Sequence, residues 1–273
     1  MAESPFNRSQ SIASRTAKPK LPGHDGLKIS CRATNPLSLE DDLQKVFLDE
    51  NQAKATTATR LFRNEELFKA LAKTVLPSFF SKRTSGKFCM WSTGCSSGEE
   101  VYSLAMIALA EFEKNKRPAS LEAFGTDINP QRIGEGRLGL YGRPGKGALT
   151  PQYWALVNKY AQLDTHDVQM GDILRSICKF SLFDMRKCPK NHTFHFIVCN
   201  HVLQYYDGPG QKHIISNLKK VLNPGGFLYL EGVTDHGMEG SGLKKHPGAQ
   251  NLYTITESRI STTRRLTRMF KRS

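Results

Sequence analysis

The apolar run Phe88–Trp91 leads into Gly94-Cys-Ser-Ser-Gly98, and a long helical pattern runs on from Glu99 to about Glu113. This strand–glycine loop–helix unit constrains the fold more than any other feature, because the rest of the chain repeats its rhythm. Strand-like runs recur at Leu121–Phe124, Lys179–Phe183, Phe194–Cys199 and Phe227–Leu230, with Leu252–Ile255 as a candidate last one. Helical patterns fall between them, near Gln131–Gly136, after Thr150-Pro151, and from about Gln211 to Leu222, where Asn223-Pro-Gly-Gly226 is expected to stop the helix. Gly139–Gly147 reads as a loop. Strands alternating with helices indicate a parallel sheet covered on both faces.

Upstream, Ser38 with Asp41 matches a capping box. A second helix is expected after Asn64, with Glu65 and Glu66 in its first turn, Leu67, Phe68, Leu71 and Val75 as its buried stripe, and Pro77 disturbing its end. These two helices are too little for a domain of their own and should pack onto the sheet. The expected organisation is a flexible basic arm over residues 1–34, an N-terminal helical region over 35–84, the main α/β domain over 85–257, and a basic tail over 258–273.

Lys and Arg number 39 against 25 Asp and Glu, a formal net charge of +14. Such a surplus attracts acidic partners without naming them. The tail holds Arg259, Arg264, Arg265, Arg268, Lys271 and Arg272, which suit either solvent or an anionic surface. No apolar run approaches the roughly 20 residues of a membrane span, and the first ten residues lack the apolar core of a signal peptide; a cytoplasmic location is expected. The six cysteines form no C-x-x-C pair and read as reduced core residues. His192-x-x-His195 is the nearest approach to a metal pattern, and no metal is expected.

In a doubly wound sheet, ligands sit beyond the carboxyl ends of the strands. Four candidate contacts fall at four such ends. Gly94 and Gly98 let the backbone turn and approach a ligand closely. Asp127 can accept from a ribose diol, or alternatively cap the Pro130 helix. Asp184 is placed to meet an adenine amino group. The turn Cys199-Asn-His-Val-Leu-Gln-Tyr-Tyr206 follows the fourth strand. Together they describe a cleft for an adenosine-containing cofactor. The spacing is neither G-x-G-x-x-G nor a phosphate loop.

Trp91-Ser-Thr-Gly-Cys-Ser-Ser-Gly-Glu-Glu-Val-Tyr-Ser103 resembles the W-S-x-x-x-S-x-G-E-E-x-Y-S signature of the chemotaxis-receptor (CheR-type) methyltransferases. Thr56-Thr-Ala-Thr-Arg-Leu-Phe-Arg63 is similar to that family's N-x-T-x-F-F-R motif. Gly125-Thr-Asp-Ile-Asn129, Phe194–Asp207 and Leu222–Leu230 continue the likeness, over roughly residues 37–235. The resemblance implies a Rossmann-like class I methyltransferase with a mostly parallel seven-stranded sheet and a short N-terminal helical annex. It implies S-adenosylmethionine as cofactor, S-adenosylhomocysteine as product, and a receptor glutamate as acceptor. Thr59, Arg63, Glu100 and Asp127 would contact the cofactor, joined by Thr57 and Gly94; Asp184 and Met185 would lie by the adenine; Arg63 and Tyr205 would orient the acceptor carboxylate.

The departures fall at the site. Thr57 stands for the family's Asn, and Asn200-His201 for the Arg-Asn of C-R-N-V. Glu231-Gly-Val-Thr-Asp235 replaces the Gly-His-Ser-Glu that commonly follows the fifth strand. Asn200 and His201 are expected beside the cofactor, though His201 could serve as a base for a hydroxyl acceptor. Nucleic acid is disfavoured as substrate, since the Asn/Asp-Pro-Pro-Tyr/Phe turn of adenine-amino methyltransferases is absent. A small-molecule acceptor, and a non-catalytic cofactor-binding module, remain the alternatives.

Overall fold

A computed structural model describes residues 59–82, 86–117, 120–190 and 192–255. The expected Ser38 helix, the 1–34 arm, the 258–273 tail and Thr57 lie outside the described residues.

The N-terminal helix starts where expected. The Asn64 side chain accepts from Leu67 N, capping α1 (Glu65–Ala70), and Glu65 and Glu66 occupy the first turn. Pro77 does not end it. The helix passes through a π turn, Leu71–Val75, and resumes as α2 (Leu76–Lys82) with Pro77 in its first turn. Leu76 N donates to Leu71 O across the π turn, and Pro77, which has no N–H to donate, follows it directly.

Next along the chain come β1 (Phe88–Thr93), α3 (Glu99–Lys114), β2 (Leu121–Asp127) and α4 (Pro130–Leu138). A small antiparallel sheet is built from β3 (Leu140–Gly142), β4 (Ala161–Leu163) and β5 (Asp167–Met170), with β5 central and α5 (Pro151–Tyr160) between β3 and β4. The chain continues through α6 (Asp172–Ile177), β6 (Cys178–Leu182), β7 (Phe194–Cys199), α7 (Gly208–Lys220), β8 (Leu222–Leu230), α8 (Asp235–Met238), β9 (Leu243–Lys245) and β10 (Leu252–Ile255). The main sheet has seven strands in the order β6-β2-β1-β7-β8-β10-β9. From β6 through β8 every pairing is parallel, and β10 runs antiparallel between β8 and β9.

Three expectations are corrected. Part of the 139–147 loop is β3, paired with β5. The helix expected at Gln211–Leu222 begins earlier, because Asp207 caps it and Pro209 sits in its first turn. Asn223–Gly226 lies within β8, where the register with β7 shifts between Phe194 and Phe196; the Pro-Gly-Gly run bulges the strand instead of preceding it.

Two apolar cores flank the sheet. One joins Leu67, Leu71 and Leu76 of the N-terminal helix to Val101 and Leu104 of α3 and to Phe88 and Met90 of β1. The other places Ile214, Ile215 and Leu218 of α7 against Trp91, Ile197 and Leu228. Alternate side chains of β1 thus point into opposite layers. Close backbone approach holds the upper end of the sheet: a Cβ at Gly98, Gly125 or Gly136 would come within 2.5, 2.8 or 2.9 Å of the Phe180 ring.

Candidate active site

The strand order reverses between β1 and β7, and the tips of β1, β2, β6, β7 and β8 meet above that point. At β1, Gly94 (φ +68°), Ser96 (φ +51°) and Gly98 (φ +92°) wind the loop into α3. Cys95 N donates to Thr126 O at 2.9 Å, fastening the loop to β2. The Asp127 carboxylate accepts from Ser96 N at 2.8 Å and from Asn129 N at 2.9 Å. The helix-cap alternative for Asp127 fails, because Asn129 caps α4 by accepting from Gln131 N and Arg132 N.

Glu100, in the first turn of α3, accepts from Ser92 Oγ and from Asn200 Nδ2, both at 2.8 Å. Burial pushes its carboxyl up from the usual value, and these two hydrogen bonds oppose the rise. Asp184, buried after β6, is gripped by Arg186: backbone N to Oδ1 at 2.9 Å and Nη2 to Oδ2 at 2.7 Å. Met185 beside it is buried. Beyond β7, His201 takes a left-handed backbone (φ +58°). Tyr205 closes a short 3₁₀ turn, Leu203–Tyr205, and is half-buried. Burial pushes the Tyr206 hydroxyl up, and the Asp184 and Asp127 charges add to it.

The segment before α1 lies across these tips. Thr59 is half-buried and Arg63 exposed. Phe62 adopts a left-handed backbone (φ +54°), its N–H donates to Ser103 Oγ at 3.0 Å, and its ring stacks on Tyr153 with centroids 4.4 Å apart. Asn64 Nδ2 donates to Glu231 Oε2 at 2.7 Å and approaches Asn200 Oδ1 at 3.4 Å. Glu231 Oε1 lies 3.7 Å from His201 Nε2. Thus Glu100, Asn200 and His201 belong to one polar chain, whereas Asp127 and Asp184 each sit in a separate turn. Sequence reasoning missed Asn64 and Glu231 as parts of this chain. Asn64 showed only as a helix start, and Glu231 only as a departure after the fifth strand.

Among the described residues, no group of three or more His, Cys, Asp or Glu side chains could hold a metal ion. His195 instead sits between Phe79 and Phe88 and accepts from Cys89 N through Nδ1.

A doubly wound sheet with one antiparallel strand near its edge, and a glycine turn beside carboxylates at its switch point, defines an α/β methyltransferase of the S-adenosylmethionine-dependent class. The chain belongs to the CheR methyltransferase family: the family model described as "CheR methyltransferase, SAM binding domain" matches residues 57–239. It is similar to the chemotaxis protein methyltransferase of Listeria monocytogenes, 31% identical over 190 residues, covering 68% of this chain and 69% of the relative. It is also similar to that of Borreliella burgdorferi, 26% identical over 181 residues, covering 64% and 63%. The match therefore spans about two thirds of these relatives, and slightly less of the second. S-adenosylmethionine is the cofactor of this family's domain, and the site's chemistry suits it. The Asp127 carboxylate is oriented by two backbone N–H groups and keeps lone pairs for a diol. Thr93 Oγ1, buried at the tip of β1, finds no hydrogen-bond partner among the described residues.

Proposed function

We propose that this methyltransferase esterifies glutamate side chains of an acidic protein, the cytoplasmic region of a chemoreceptor. The observation that carries the reading is Arg63: an exposed arginine between two anchored residues, Phe62 and Asn64, in the segment that crosses the strand tips. S-adenosylmethionine would supply an electrophilic methyl group for in-line attack by a carboxylate oxygen, with S-adenosylhomocysteine as the leaving group. The acceptor glutamate, with an unperturbed pKa of about 4.3, is already ionised at neutral pH. No general base is needed, and the chain's task is to bind and orient.

In this reading Arg63 holds one carboxylate oxygen by charge-assisted hydrogen bonds and leaves the other to attack. Tyr205 donates its hydroxyl to position the acceptor. Asp127 receives the ribose diol, with Gly94 giving the backbone close approach. Thr59, Arg63, Glu100, Asn200 and His201 surround the methionine part. Asp184 and Met185 flank the adenine, Asp184 acting mainly through the turn it fixes with Arg186. The basic ends steer acidic partners, and the basic tail rests on an anionic surface. No helix among the described residues is long and apolar enough to cross a membrane, and we place the protein in the cytoplasm.

Incubation with labelled S-adenosylmethionine and a chemoreceptor fragment should give a base-labile methyl ester; a base-stable product rejects the reading. Arg63→Ala should lower kcat/KM by roughly 100-fold or more, about 2.7 kcal/mol, and by a larger factor than it weakens S-adenosylhomocysteine binding.

One observation favours a second reading, a small-molecule acceptor. Glu231 faces His201 across 3.7 Å, and a carboxylate–imidazole pair can take a proton from a neutral hydroxyl. A base-stable product formed on small hydroxylated acceptors would support it.

A further inference from the structure

Asn64 makes two unlike connections through one side-chain amide. Its Oδ1 accepts from Leu67 N at 3.1 Å and caps α1. Its Nδ2 reaches 167 residues along the chain to Glu231 Oε2, with Tyr229 OH at 3.3 Å and Asn200 Oδ1 at 3.4 Å as further neighbours. The cap fixes which way the amide points, so nitrogen faces the carboxylate and oxygen faces the helix. A helix start is thereby tied to the ends of β7 and β8. Asn200 carries the tie on to Glu100, and Glu100 to Ser92. On the other side of Arg63, Phe62 is held by Ser103 and by stacking on Tyr153. One anchor faces the core; the Asn64–Glu231 anchor faces the strand tips.

We infer that the Asn64–Glu231 amide–carboxylate clasp positions the segment bearing Arg63 over the strand tips, making Asn64 and Glu231 positioning residues for acceptor binding. The acceptor part of this inference rests on the reading of Arg63 as the acceptor's anchor. Neither residue has to touch acceptor or cofactor.

The test is a hydrogen-bond swap. Asn64→Asp keeps a good helix cap but sets a carboxylate against Glu231. Glu231→Gln alone keeps an oxygen that Asn64 can donate to, and is the background against which the double variant is read. Asn64→Asp should raise the acceptor KM at least about tenfold, with a smaller change in S-adenosylhomocysteine affinity, and should speed hydrogen exchange of the backbone amides of residues 61–67. In the double variant Asn64→Asp/Glu231→Gln, the amide introduced at position 231 can donate to the carboxylate introduced at position 64. It should return KM to within about threefold of wild type and restore protection.

The inference is overturned if Asn64→Asp matches wild type in KM or in exchange, or if the double variant stays at the single variant's level. Should Asn64→Asp fail to fold, Glu231→Ala, which removes the acceptor oxygens and leaves the cap, carries the same expectation. If the wild type forms no base-labile ester on any acidic acceptor, the functional reading fails, and exchange alone then decides whether the clasp holds the segment.

Discussion

Gly94 has no room for a side chain: at φ +68° a Cβ would drive into Val202. Gly94→Ala therefore combines overpacking, about 1–3 kcal/mol, with about 1–2 kcal/mol for a left-handed backbone at a residue with a Cβ. A melting temperature lower by several degrees, with weakened S-adenosylhomocysteine binding, is the expected result in thermal unfolding and calorimetry. Glu100 calls for a different measurement. Burial raises its carboxyl above the usual value; once ionised, in the proposed site it would attract a cationic cofactor. Acidification through the window just above the ordinary carboxylate range should weaken S-adenosylmethionine binding, and Glu100→Gln should give a flat profile at the weak end. The sign for stability is opposite. A group that binds its proton more readily folded than unfolded contributes stability that is lost as pH rises from the unfolded value through the folded one. The glycine loop and Asp127 were legible because short motifs fall at strand ends. The Asn64–Glu231 contact was not, since nothing local links residues 167 apart.

Among the elements, the N-terminal helix is a layer of the domain. Leu71, fully buried within the π turn, packs in the same core as β1 and α3. Leu71→Ala should cost about 2–5 kcal/mol in urea denaturation, although it lies far along the chain from the sheet's later strands. Legibility here followed length and pattern. β1, β2, β6 and β7 announce themselves as apolar runs because both their faces are covered. β3, β4 and β9 have three residues each, and α6 has six; too few side chains repeat to show a period. Pro77 misled for another reason. Its effect depends on the local helix geometry: a π turn lies directly before it and the helix runs on to Lys82. Likewise Asn223-Pro-Gly-Gly226 looks like a stop signal, yet a bulged strand accommodates it beside β7.

For the whole molecule, the net charge of +14 is the governing quantity. Screening shortens the reach of such charge to roughly 8–10 Å at ordinary ionic strength. Raising salt from low to physiological levels should lower kcat/KM for an acidic protein acceptor several-fold while kcat changes little, measured as initial rates of ester formation. The architecture was readable as a whole from strand–helix alternation, whereas the separate three-stranded sheet was not, because its pairings join residues that resemble loop. The Phe180 ring is the point where the loop after β1, strand β2 and helix α4 all come to rest on one side chain. Such an arrangement couples the tolerances of three distant positions. A methyl group introduced at Gly136 and a smaller side chain at 180 would each harm the protein alone and partly cancel together, so sequence drift at these two sites is coupled.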